Sequence, residues 1–120
     1  LRYQGEIFTH RFDANTYLYV TKALDYFDLS GGHGPLEETF RELPPEMRFL
    51  VIAFSSDWLY PPYQSKDIVR ALKGNGIDCS YLEMKLSYGH DAFLLENKEL
   101  NRIVWHFLAT TARKRGLRFD

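Results

Sequence analysis

The sequence predicts an α/β fold with parallel strands, and only one end of such a fold. Three observations carry this. The last two thirds of the 120-residue chain alternates strand, helix, strand, helix, the rhythm of parallel α/β architecture. Its first strand contains a continuous apolar run, Phe49-Leu50-Val51-Ile52-Ala53-Phe54, of the kind buried on both faces and paired on both edges. Only two strands are present, too few for a stable sheet, so sheet neighbours from outside the chain are expected.

Each element has its own signal. Residues 1–30 read as helical and aromatic. After Asp13, an N-cap candidate, Tyr17, Val20, Leu24 and Phe27 recur at helical spacing. Tyr19 and Tyr26 lie off that stripe, so the helix is apolar on more than one side and is expected to pack against two neighbours or another chain. The tyrosines Tyr17, Tyr19 and Tyr26 read as packing rather than ligand chemistry. Residues 31–45 form a connector: a break at Ser30-Gly31-Gly32-His33-Gly34-Pro35, then a short helix from Leu36 to Leu43 closed by Pro44-Pro45.

Residues 46–120 carry the α/β pattern. Met47 to Phe54 is the first strand. Pro61-Pro62 suits the first turn of a helix, where a missing N–H costs nothing, and Ile68, Val69 and Leu72 form that helix's buried face, with Gly74 or Gly76 ending it. Ile77 to Lys85 is a second, more polar strand, nearer a sheet edge. Leu100, Ile103, Val104, Phe107 and Leu108 stripe a last helix ending in basic residues and Gly116. Arg113, Lys114, Arg115 and Arg118 are explained by the negative end of that helix dipole.

Composition narrows the function classes. Fifteen Lys and Arg against 16 Asp and Glu leave a net charge of −1, which argues against a dedicated nucleic-acid binder. An aromatic content of 16% excludes intrinsic disorder. The longest apolar run is far short of the roughly 18–20 residues a membrane span needs. The lone Cys79 permits no internal disulfide and fits a reducing cytoplasm. A chain of this size is expected to bury roughly two thirds of its unfolded surface if its pattern closes on itself. The first residues, Leu1-Arg2-Tyr3-Gln4-Gly5, resemble no signal peptide and read as the interior of a longer chain.

Catalytic groups in open parallel sheets gather beyond the carboxyl ends of strands. The first strand runs into Ser55-Ser56-Asp57-Trp58-Leu59-Tyr60-Pro61-Pro62, and the second is followed by Ser87-Tyr88-Gly89-His90-Asp91-Ala92-Phe93. Adjacent parallel strands put both loops on one rim, where Asp57 can orient His90 as a general base. Taken singly, Asp57 reads more often as a cap or turn residue, and Asp91 has an alternative as an N-cap for the residues after it. In the order Asp then His, however, they match the tail of a Ser…Asp…His triad on an α/β-hydrolase sheet. None of the serines at 30, 55, 56, 65, 80 and 87 sits in a Gly-x-Ser-x-Gly elbow. Cys79 lies mid-strand without an elbow, and His10, His33, His90 and His106 share no metal-ligand spacing.

Three stretches carry a family resemblance. Arg11-Phe12-Asp13-Ala14-Asn15-Thr16-Tyr17-Leu18-Tyr19, the Phe54–Pro62 aspartate loop and the Tyr88–Leu94 histidine loop together resemble homoserine O-acetyltransferases, in the family order. The resemblance spans nearly the whole chain and corresponds to the carboxy-terminal third of such an enzyme. It implies the end of an α/β-hydrolase fold: the last two parallel strands and their helices (46–120), preceded by the end of a helical lid (1–30). It further implies acetyl transfer from acetyl-CoA, as cosubstrate, to the hydroxyl of L-homoserine in methionine biosynthesis, by a ping-pong mechanism whose serine lies outside this chain. On that reading Asp57 is the orienting acid, His90 the general base, and Asp91 a substrate-binding carboxylate for the homoserine ammonium. No permanently bound cofactor or metal is implied, and a cytoplasmic homodimer formed through the lid helices is. By itself the 120-residue piece is expected to be inactive. Two other readings remain open: a non-enzymatic interaction module of the same fold, or a serine or homoserine acyltransferase with another acyl donor.

Overall fold

The structure, a computed structural model, describes residues 2–32 and 34–118. Among them are five α-helices and two strands: α1 Arg2–Arg11, α2 Ala14–Asp25, α3 Leu36–Thr39, β1 Arg48–Phe54, α4 Pro62–Gly74, β2 Asp78–Met84 and α5 Lys98–Lys114, with a 3-10 turn at His90–Leu94 before the last helix. The strands pair in parallel, from Arg48 opposite Asp78 to Phe54 opposite Met84. The α/β alternation and parallel pairing are as the sequence predicts.

The pleat divides the strands between two cores. Phe49, Val51, Cys79 and Tyr81 face α4, where Val69, Ala71, Leu72 and Ile77 join Phe40 from the segment after α3. Phe54 and Met84 pack with Ala92 and, partly buried, Ile52, Leu82 and Leu100, on the side that α5 covers. Pro61 and Pro62 open α4 as its N-cap and first residue, and Gly76, at φ +72°, lets the chain turn directly into β2. At the far end of the sheet Arg48 Nε donates to Asp78 Oδ2 at 2.6 Å and Arg48 Nη1 to Thr111 Oγ1 at 2.8 Å. Lys114 lies 3.5 Å from the same carboxylate. These contacts tie both strand starts to α5.

Several expectations are corrected. The accessible surface is 9723 Å², against roughly 6,700 Å² for a compact monomer of this mass and roughly 20,000 Å² unfolded. The chain therefore buries only about half of its unfolded surface, not two thirds. Its radius of gyration, 17.9 Å, exceeds the roughly 13.6 Å of a compact chain of this length. β1 is fully buried only at Ala53 and Phe54, because one edge and part of one face have no neighbour among the described residues. The α5 stripe is likewise half open: Leu108 is 47% exposed, and Ala109 is the buried residue of that helix. The short helix spans Leu36–Thr39 rather than reaching Leu43.

The largest departure lies in α1 and α2. Asp13 caps α2 as expected, its carboxylate accepting from the Thr16 amide at 3.0 Å. Yet neither helix buries a residue. Tyr17 stacks edge-on against Phe8, but Tyr19 and Tyr26 are each 76% exposed, so the packing expected of the tyrosines is not made within the described chain. No helix among the described residues is long and apolar enough to cross a membrane.

Candidate active site

Parallel pairing carries β1 and β2 to the same rim, and the two loops beyond them meet there. β1 ends at Phe54, and the Asp57 amide donates back to the Phe54 carbonyl at 3.0 Å, closing a tight turn. That turn aims the Asp57 side chain toward the loop after β2. Oδ2 lies 2.8 Å from His90 Nδ1. Oδ1 accepts from the Leu59 and Tyr60 amides at 3.0 and 2.9 Å. Asp57 thus makes its turn contacts with one oxygen and its His90 contact with the other.

Asp57 is 8% exposed. Burial pushes its carboxyl up, but the Tyr60 amide, the hydrogen bond and charge of His90, and the Leu59 amide together outweigh it. The carboxyl stays below its ordinary value. An ionised carboxylate can only accept, so Nδ1 of His90 carries the proton, and in the neutral imidazole that leaves the lone pair on Nε2. The imidazole contacts two rings, Tyr60 tilted at 4.9 Å and Phe93 edge-on at 5.6 Å between centroids. Its side chain is 34% exposed, so Nε2 is fixed in direction and still reachable. A cavity of about 730 Å³ adjoins the pair, with apolar walls that include Ile52, Phe54, Leu100, Val104 and Trp105.

Asp91 sits one residue beyond His90, exposed, in the first turn of the 3-10 helix. It does not cap: the N-cap position is Gly89, and no side chain caps this helix. Its carboxylate hydrogen-bonds to none of the described residues, which corrects the capping alternative. Cys79 is buried, and that burial pushes its thiol up, away from the thiolate a nucleophile needs.

Sequence reasoning missed three residues of the site. Tyr60 and Phe93 flank the imidazole, and Ser56 accepts from the Gly89 amide at 3.0 Å. Their nearness in sequence to Asp57 and His90 was visible. Which of the neighbours would turn inward depends on the loop conformation, which no residue pattern encodes.

No protein-family model matches the chain. Individual proteins do. It is 54% identical over 111 residues to a homoserine O-acetyltransferase of Methanohalobium evestigatum, covering 92% of this chain and 22% of that protein. A homoserine O-acetyltransferase of Solidesulfovibrio magneticus is 51% identical over 108 residues, 90% of this chain and 27% of its own length. One from Leptospira biflexa is 50% identical over 111 residues, 92% of this chain and 29% of its own. The chain thus resembles homoserine O-acetyltransferases over about nine-tenths of its own length, while spanning between about a fifth and three-tenths of theirs.

Proposed function

We propose that this chain supplies the acid and the base of a homoserine O-acetyltransferase, within a polypeptide of its relatives' length and as the end of an α/β-hydrolase fold. The 2.8 Å contact between Asp57 Oδ2 and His90 Nδ1 carries the reading. His90 Nε2 takes the proton of a serine hydroxyl contributed from outside this chain. The serine oxygen attacks the thioester carbonyl of acetyl-CoA, the C–S bond breaks, and the proton passes from His90 to the departing thiolate. L-homoserine then enters, Nε2 takes the proton of its hydroxyl, and the oxygen attacks the acyl-serine. O-acetylhomoserine leaves and the serine recovers its proton from His90. Asp57 stays ionised throughout and stabilises the imidazolium in both halves.

Asp91 holds the homoserine ammonium. Its exposure and its place beside His90 support this, since a carboxylate there offers a charge-assisted contact close to the reacting hydroxyl. The reaction serves methionine biosynthesis. The exposed aromatic surface of α1 and α2 belongs to a homodimer interface. No resident cofactor takes part.

The test is homoserine-dependent thiol release from acetyl-CoA by the longer polypeptide and by its His90→Ala variant. The variant is expected to lose turnover on the order of a million-fold while keeping its fold. A wild-type protein that does not acetylate homoserine, or a variant close to wild type in turnover, contradicts the assignment.

A further inference from the structure

Four hydrogen bonds join residues 55–57 to residues 84–90, in sequence order. The Ser55 amide donates to the Met84 carbonyl at 2.9 Å, extending the strand ladder past its end. The Ser55 hydroxyl donates to the Leu86 carbonyl at 3.3 Å. The Ser56 oxygen accepts from the Gly89 amide at 3.0 Å, and Asp57 Oδ2 meets His90 Nδ1. The bond at Ser56 is the one adjacent to the Asp57–His90 pair.

Its partner is the weak point of the histidine loop. Gly89 adopts φ +68° and ψ −150°, a conformation that residues with a Cβ hardly populate. Nothing lies within 4 Å of where a Cβ would sit, so the requirement for glycine here is conformational and not spatial. Glycine is also the residue with the most backbone freedom to lose, which makes it a natural hinge immediately before the imidazole. Among the described residues, the hydrogen bond that holds this glycine's amide is the one to Ser56.

We propose that Ser56 is a positioning residue for the Asp57–His90 pair: by holding the Gly89 amide, its hydroxyl fixes the hinge on which the imidazole is carried. Its bearing on turnover rests on the reading of His90 as general base. Its bearing on geometry does not. In this role Ser56 acts through the Gly89 amide.

The experiment uses the longer polypeptide and three variants, Ser56→Ala, Ser56→Thr and His90→Ala, with two readouts. The first is acetyl transfer, where Ser56→Ala should lower kcat by about ten- to a hundredfold with KM nearly unchanged, the scale of a small misplacement of a catalytic group. Ser56→Thr keeps the hydroxyl and should recover turnover to within about threefold of wild type. The second is the downfield proton resonance of the imidazole Nδ1–H held by a carboxylate, assigned by its loss in His90→Ala. It should broaden or vanish in Ser56→Ala and return in Ser56→Thr. A Ser56→Ala variant that keeps both the resonance and turnover to within about threefold overturns the proposal, as does a threonine variant no better than alanine. If Ser56→Ala loses the resonance but the wild type acetylates no homoserine, the proposed activity fails and the positioning role stands.

Discussion

Leu24 and Leu72 are the same residue type on helices of 12 and 13 residues, yet Leu72 is fully buried and Leu24 is 60% exposed. The difference lies in what surrounds the helices. α4 lies against β1, β2 and the segment around Phe40, all within this chain. α2 has, among the described residues, little more than the Phe8 ring beside Tyr17. An apolar stripe states that a helix will be covered but not by what. Within residues 46–118 the stripe of α4 finds its cover locally and that of α5 is half covered, whereas the stripe in residues 2–25 stays uncovered. The candidate site belongs to the first region, which is why two loops from a two-stranded sheet already hold Asp57 and His90 at 2.8 Å.

The sharpest way to break this contrast is at the pair itself. Asp57→Asn in the longer polypeptide keeps an oxygen for the Leu59 and Tyr60 amides and so keeps the turn. Its amide nitrogen, however, can only donate toward Nδ1, which moves the imidazole proton to Nε2 and removes the base. Turnover should fall on the order of ten-thousandfold with little change in thermal stability. A drop of less than about tenfold would mean that Asp57 is only a turn residue.

Next in size is the packing contrast. In urea unfolding of the longer polypeptide, Leu72→Ala should cost about 2–5 kcal/mol, because it opens a cavity beneath the sheet. A loss below about 1 kcal/mol would mean that the α4 face is not the core of this region.

Acid provides a smaller, graded test. The Arg48 guanidinium holds the Asp78 carboxyl below its ordinary value, and the amide and imidazole donors do the same for Asp57 against its burial. A carboxylate with a depressed folded-state pKa adds stability that is fully present above its unfolded pKa, near 3.9, and is lost as pH falls through the folded value. The urea midpoint should therefore be flat with respect to these groups from about pH 8 to 5 and decline below about pH 4. A decline that Asp78→Asn leaves unchanged would show that the Arg48–Asp78 contact contributes nothing to it.

The smallest expected effect is Leu24→Ala in the same polypeptide, within about 0.5 kcal/mol of wild type when measured below the concentration at which it dimerises. A loss as large as that of Leu72→Ala would show that α2 is packed inside the chain after all.

How much of this was legible in the sequence follows the same division. Pro61-Pro62, Gly76 and the Phe49–Phe54 run mark local conformations, so β1, α4 and their parallel partner β2 were readable with boundaries close to those observed. The meeting of Asp57 with His90 was readable because parallel strands leave both loops on one rim. The half-open stripe of α5, with Leu108 exposed, was not, because periodicity reports a tendency to be covered and is silent on whether the covering strands are present. The Ser56–Gly89 bond was invisible for another reason. Gly89 was read as part of a loop motif, whereas its positive φ and the direction of its amide are fixed only by contacts 33 residues away in sequence.

A crystal structure of the longer polypeptide would decide whether Asp57 and His90 serve a serine from outside this chain. His90 Nδ1 is expected within hydrogen-bond distance of Asp57 Oδ2, and a serine hydroxyl from outside residues 1–120 within about 3.2 Å of Nε2, the reach a base needs to its nucleophile. A structure in which Nε2 faces no hydroxyl, or in which Asp57 and His90 part when the rest of the sheet is present, would contradict it.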